Sequence, residues 1–191
     1  MNYRSSMQSK SSALKNQLHY LNIILGRRPS ISSQLRFILL IPGKPPTLDE
    51  LAAKFKNTKG SPSYLTFCTP TSVLTVEKNL HSALTRTSDK FLAVTNHDES
   101  LAMEKERLKI RMWKRRSLRA HEAMEIMKDS MARKECIENL WRDNGGEKAS
   151  IEDLKTWLRT SPIRNGDTHF ACIMDPSMQG GGLIWLETYS D

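Results

Sequence analysis

Tyr64-Leu65-Thr66-Phe67-Cys68, a break at Thr69-Pro70, then Ser72-Val73-Leu74-Thr75-Val76-Glu77: the fold class turns on this stretch. Both runs are dense in aromatic and β-branched residues, which suit a pleated, half-buried surface. The break between them carries a proline, so the pair predicts a hairpin or meander. A third strand is expected at Phe91-Leu92-Ala93-Val94-Thr95, with Asn96-His97-Asp98 at its exit.

Upstream of the strands the pattern is helical. Leu18, Leu21, Ile24 and Leu25 recur at helical spacing, and Gly26 stops them. Ile31 to Ile41 is a second apolar stretch, read as helix and ended by Pro42 and Gly43. Thr47-Leu48-Asp49-Glu50 reads as a capping box opening a third helix through Leu51, Ala52 and Phe55. Residues 1–17 carry five serines and no periodicity, which predicts a polar flexible tail before a domain spanning 18–191.

Downstream, Leu101 to Trp141 contains neither Gly nor Pro and predicts one long helix or two. Ala120, Met124, Met127 and Met131 form a stripe, read as a forgiving core seam. Ser150 and Asp153 mark the start of another helix, and Pro162 stops it. Thr168–Met174 and Leu183–Glu187 predict a closing hairpin with a Gly-rich connection. The order helices, strands, helices, strands implies an α+β layered fold with a mainly antiparallel sheet packed against helices.

Composition narrows function only a little. Lys+Arg 29 against Asp+Glu 21 gives +8, which favours an anionic partner without choosing one. The longest purely apolar run, Phe37–Ile41, falls far short of the ~20 residues of a membrane span, and Met1–Lys15 lacks the apolar core of a signal peptide. Cys68, Cys136 and Cys172 are too few and too scattered for a disulfide framework and form no C-x-x-C pair, so a thiol metal site is not expected, and no residue pattern calls for a cofactor.

Two groups invite chemistry. Asn96, a neutral amide donor at the exit of an apolar strand, could stabilise an oxyanion on an attacked amide carbonyl; the commoner role is to cap a turn. Lys114-Arg115-Arg116 is by default a solvated helix face, though one guanidinium turned inward could hold a carboxylate or carbonyl. His97 with Asp98 as an acid–base pair is disfavoured, because strand neighbours point to opposite faces. A basic helix Lys105–Arg119 could alternatively bind nucleic acid or an anionic membrane without catalysis. That reading ranks lower, since Glu104 and Glu106 interrupt the stripe and no aromatic platform accompanies it.

Several segments, in order, resemble the C-terminal part of the large subunit in the acid ceramidase and N-acylethanolamine-hydrolysing acid amidase family. They are Leu21–Arg28, Thr47–Glu50, Tyr64–Phe67, Val73–Lys78 (an apolar strand leading into a charged turn), Phe91–Asp98, Lys114–Arg116, and Leu158–Asn165 followed by Thr168–Asp175. The likeness runs from about Leu18 to Tyr189. It implies a partial N-terminal-nucleophile-hydrolase fold with its first strands missing, acting on N-acyl lipid amides. In such enzymes a cysteine freed by self-cleavage attacks the amide, and its own α-amine is the base. The resemblance places Asn96 as the oxyanion donor and Arg115 in the site, with Arg116 as the alternative register. It also implies an upstream segment or small subunit as partner, contact with an anionic membrane surface, and a lysosomal or secreted setting for full-length relatives.

The sequence departs from that pattern. Met1–Leu18 has no cysteine for the nucleophile, Cys68 stands where the family has glycines, and the family's upstream arginine and aspartate are absent. The linker between the first two strands shortens to Thr69-Pro70-Thr71, and a longer charged helix follows Asp98. The expectation is therefore a fragment of a longer amidohydrolase, or an inactive relative.

Overall fold

The computed structural model describes residues 2–3, 10–99, 118–178 and 182–189. Its elements are β1 (Asn2–Tyr3), α1 (Lys10–Ile24), α2 (Ile31–Leu40), α3 (Leu48–Asn57), β2 (Ser63–Cys68), β3 (Val73–Lys78), β4 (Ala83–Ser88), α4 (Leu118–Asp143), α5 (Ile151–Arg159), β5 (Phe170–Asp175) and β6 (Gly182–Thr188). The class is α+β. The stretch expected as one domain divides into two compact units, Met1–Phe67 with Val73–Thr87, and Cys68–Ser72 with Ser88–Asp191.

The first unit holds a sheet in the order β1-β2-β3-β4. Strands β2 to β4 run as an antiparallel meander. Thr69 closes the first turn, its N–H donating to the Ser72 carbonyl at 2.8 Å, and its hydroxyl accepts from the Ser72 N–H at 3.0 Å. Asn79 closes the second, its N–H donating to Ser82 at 2.8 Å. Helices α2 and α3 supply Ile31, Ile38, Leu51 and Phe55 to a core completed by Leu65, Leu74 and Val76 from the sheet. Phe55 stacks on Phe67 with centroids 5.6 Å apart.

Both helices start as their sequences dictate. The Thr47 hydroxyl accepts from the Glu50 N–H at 3.2 Å, and the Thr47 N–H donates to the Glu50 carboxylate at 2.7 Å, the reciprocal capping box. Ser30 caps α2 by accepting from the Ser33 N–H at 3.0 Å.

In three places this unit departs from expectation. The stretch read as a polar tail forms β1, paired antiparallel as Asn2↔Tyr64 and Tyr3↔Ser63, and α1 starts at Lys10. Leu14, Leu18 and Leu21 extend the helical spacing upstream, so the serines are carried into a helix rather than ending it. Next, Ala83–Ser88 is a strand that the apolar pattern does not announce; its β-branched Thr85 and Thr87 were the available signal. Finally, the expected strand ending at Glu77 extends through Lys78, and both charged residues are fully buried in β3. With both faces of the central strand covered, alternation disappears and even its charged residues go inside.

In the second unit, Ser150 opens α5 with another reciprocal box, accepting from the Asp153 N–H at 3.1 Å and donating its own N–H back at 2.8 Å. Trp157 on α5 is buried and the helix packs on β5, which turns Ala171 and Ile173 inward. The expected closing hairpin is present, with Phe170↔Thr188 and Cys172↔Leu186 in register and an irregularity between Ile173 and Met174. Arg159 ties α5 to β6: its Nε donates to Glu187 at 2.9 Å, and its guanidinium lies 5.3 Å from the Trp185 ring centroid.

The third expected strand, Phe91–Thr95, is not a strand. It is an irregular segment, apolar because it is fastened to α4. Phe91 stacks on Trp141 with centroids 4.9 Å apart and planes 8° from parallel, and Ala93 is buried. The proposed helix from Leu101 is described only from Leu118 onward; Lys105–Lys114, Arg115 and Arg116 lie outside the described residues. No helix among the described residues is long and apolar enough to cross a membrane.

Candidate functional site

The segment Thr95–Glu99 is bent, and each alternate residue is anchored. His97 is buried, and its Nδ1 lies 3.0 Å from the Thr95 hydroxyl and 2.9 Å from the Ser130 hydroxyl of α4. Two residues on, both carboxylate oxygens of Glu99 accept from Lys134 Nζ, at 2.7 and 2.8 Å. Lys134 also meets Glu138 at 3.3 Å.

The helix explains why the spacing works. Ser130 and Lys134 are one turn apart and so share a face, and the bend through Asn96 and His97 lets His97 and Glu99 both reach it. Trp141, seven residues beyond Lys134, continues that face and holds Phe91. The segment is thus pinned at three points along α4 by one aromatic stack, one buried polar contact and one ion pair.

Asn96 sits between two of these anchored residues. It is half-buried, and its side chain has no hydrogen-bond partner among the described residues. A fixed backbone and an unengaged amide are what an electrostatic donor needs, because it then pays no reorganisation cost when charge develops. The turn-capping role is not the one Asn96 plays toward the described residues.

The His97 ring, whose pairing with Asp98 is disfavoured from sequence, turns its Nδ1 to two hydroxyls. The Arg115 position, and its alternative Arg116, are not brought into view by the described residues. Cys68, expected to be a small buried residue, is exposed at the end of β2, yet its thiol is desolvated enough to lie above the ordinary cysteine range. A thiol shifted upward is poorly ionised near neutrality, so Cys68 is no activated nucleophile. Among the described residues no three His, Cys, Asp or Glu side chains are grouped so as to hold a metal ion.

What sequence reasoning missed is Ser130 and Lys134. The methionine stripe draws attention to positions 124, 127 and 131, whereas Ser130 beside it and Lys134 one turn on make the contacts that fix the bend. No protein-family model matches the chain, and no curated protein or solved structure matches it either.

Proposed function

We propose that this chain is part of an amide hydrolase of the acid ceramidase type, cleaving the C–N bond of N-acyl lipid amides, with Asn96 as oxyanion donor. One observation carries the reading: an unengaged, half-buried amide held between anchored neighbours at the one segment where the family resemblance calls for such a donor. The α+β architecture, with an antiparallel meander and helices packed on it, is compatible with the finer N-terminal-nucleophile fold.

In this reading the attacking thiol and its α-amine base come from a cysteine contributed by a segment upstream of the Tyr64 strand. As the thiolate adds to the amide carbon, the carbonyl oxygen takes the negative charge and the Asn96 N–H donates to it. Collapse expels the amine, which leaves with the proton the α-amine had accepted, and water deprotonated by the same α-amine then cleaves the thioester, releasing the fatty acid and restoring the thiol. Arg115 would orient the carbonyl or the acyl head.

The test is hydrolysis of an N-acylethanolamine and of a ceramide by the product of the complete reading frame. Asn96→Ala lowers kcat by roughly 10²–10³-fold with KM little changed, the cost of losing one oxyanion donor. Turnover that is undiminished in Asn96→Ala overturns the assignment, and the absence of any amide cleavage overturns the function.

A further inference from the structure

Where the N-terminal end of α2 faces the C-terminal end of α3, a cleft of about 600 Å³ opens in the first unit. That volume is in the range of small-molecule sites. Its wall includes Arg28, Lys54 and Lys59, the Phe37 ring, Ser33 and Gln34, and no carboxylate. None of the three cations is ion-paired to a described residue. The positive end of the α2 dipole and the negative end of the α3 dipole meet at this cleft, so its charge is set by the three cations.

Two further observations point to a ligand here. Gln34 is 7% exposed, and its Nε2 has no hydrogen-bond partner. A buried amide donor left unmatched is uncommon in a folded protein, and an anionic oxygen would match it. The neighbouring His19 registers the local potential: burial first, then the positive charges of Arg28, His81, Lys78 and Lys59, hold its pKa below the ordinary imidazole value. Cations gathered without acids make an environment that attracts negative charge.

The other half of the cleft is apolar. Phe37 is 62% exposed in it, with Lys54 Nζ 5.3 Å from the ring centroid, so the lysine stem and the ring form one greasy wall under a charged rim. We propose that this cleft binds an amphiphilic carboxylate, the head against Arg28, Lys59 and Gln34 and the apolar chain along Phe37. The proposal uses only the first unit and does not depend on the amide-hydrolase reading.

Calorimetric titration of the full chain with dodecanoate, below its micelle concentration, tests it. Saturable one-to-one binding is expected. Arg28→Gln and Lys59→Gln each weaken it at least about tenfold, as loss of a hydrogen bond to a charged group does. Lys59→Arg keeps the affinity, and Lys148→Gln, a charge removed from the second unit, leaves it unchanged. Dodecanol binding as tightly as dodecanoate overturns the ionic half of the proposal, and inorganic phosphate binding as tightly overturns the apolar half. No saturable binding, or equal weakening in Lys148→Gln, overturns it altogether. Circular dichroism of each variant, matched to the parent, separates lost contacts from lost fold.

Discussion

An ammonium group held inside a sheet by one carbonyl is expensive, and Lys78 is such a group. It is fully buried, its Nζ donates to the Ser82 carbonyl at 3.2 Å, and Glu77 beside it is engaged by Arg86 at 3.4 Å. Desolvation pulls the Lys78 pKa down to about 8. The sign follows from which state binds more protons. Between pH 8 and pH 10.5 the unfolded chain keeps the proton and the folded chain releases it, so the folded state gains stability as pH rises through that window. Below pH 8 the full penalty is present. Lys78→Met, of similar length, removes the penalty and the single hydrogen bond together, and stabilises the protein by about 2 kcal/mol at pH 7. Urea unfolding of both proteins at pH 7 and pH 10 checks this: the gap narrows at the higher pH, and a constant gap refutes the burial cost.

The same buried lysine shows where single residues were illegible. The sequence puts Glu77 at the end of a strand, but nothing in a one-dimensional pattern buries it or Lys78, because charge marks solvent in most chains. Their burial depends on β4 pairing alongside and on helices covering the sheet, which no local window contains. Asn96 draws attention for the opposite reason, since an amide placed against the local apolar pattern stands out before any neighbour is known, but its role there rests on the proposal above.

At the scale of elements, the helices were written locally and the irregular segment was not. Thr47 with Glu50 and Ser150 with Asp153 announce helix starts by a three-residue spacing, and both boxes form. Phe91–Val94 carries an apolar run that fits a strand equally well, and only Trp141, fifty residues away, decides otherwise. The anchors of the candidate site are similarly remote, with Ser130 and Lys134 more than thirty residues from the groups they hold. Ser130, with no exposed surface, is the anchor to remove. Ser130→Ala leaves the His97 ring with one hydroxyl fewer and costs about 1 kcal/mol. Hydrogen exchange at the amides of residues 95–99 speeds up in that variant while α5 and the β5–β6 hairpin keep their protection. Unchanged exchange in the bend means that the ion pair and the aromatic stack suffice.

At the scale of the whole molecule, two cores carry separate loads. In the first, Leu74 has no exposed surface and belongs to the cluster built from α2, α3 and the sheet. Leu74→Ala opens a cavity there and destabilises that unit by roughly 2–5 kcal/mol. Thermal melts show the effect as a lowered transition for the first unit, and a shift below 1 kcal/mol contradicts the packing described. In the second unit the burden falls on Trp157, Ala171 and Ile173 and on the Arg159–Glu187 tie.

The placement of the aromatic residues gives this division an optical signature. Among the described residues the tryptophans, at 141, 157 and 185, belong to the second unit, whereas the tyrosines at 3, 20 and 64 belong to the first. Indole emission from these three therefore reports one half of the chain, with Trp141 brightening or dimming as it parts from Phe91, and phenol absorbance reports mainly the other. A single unlabelled sample, followed at two wavelengths, resolves which half has come apart.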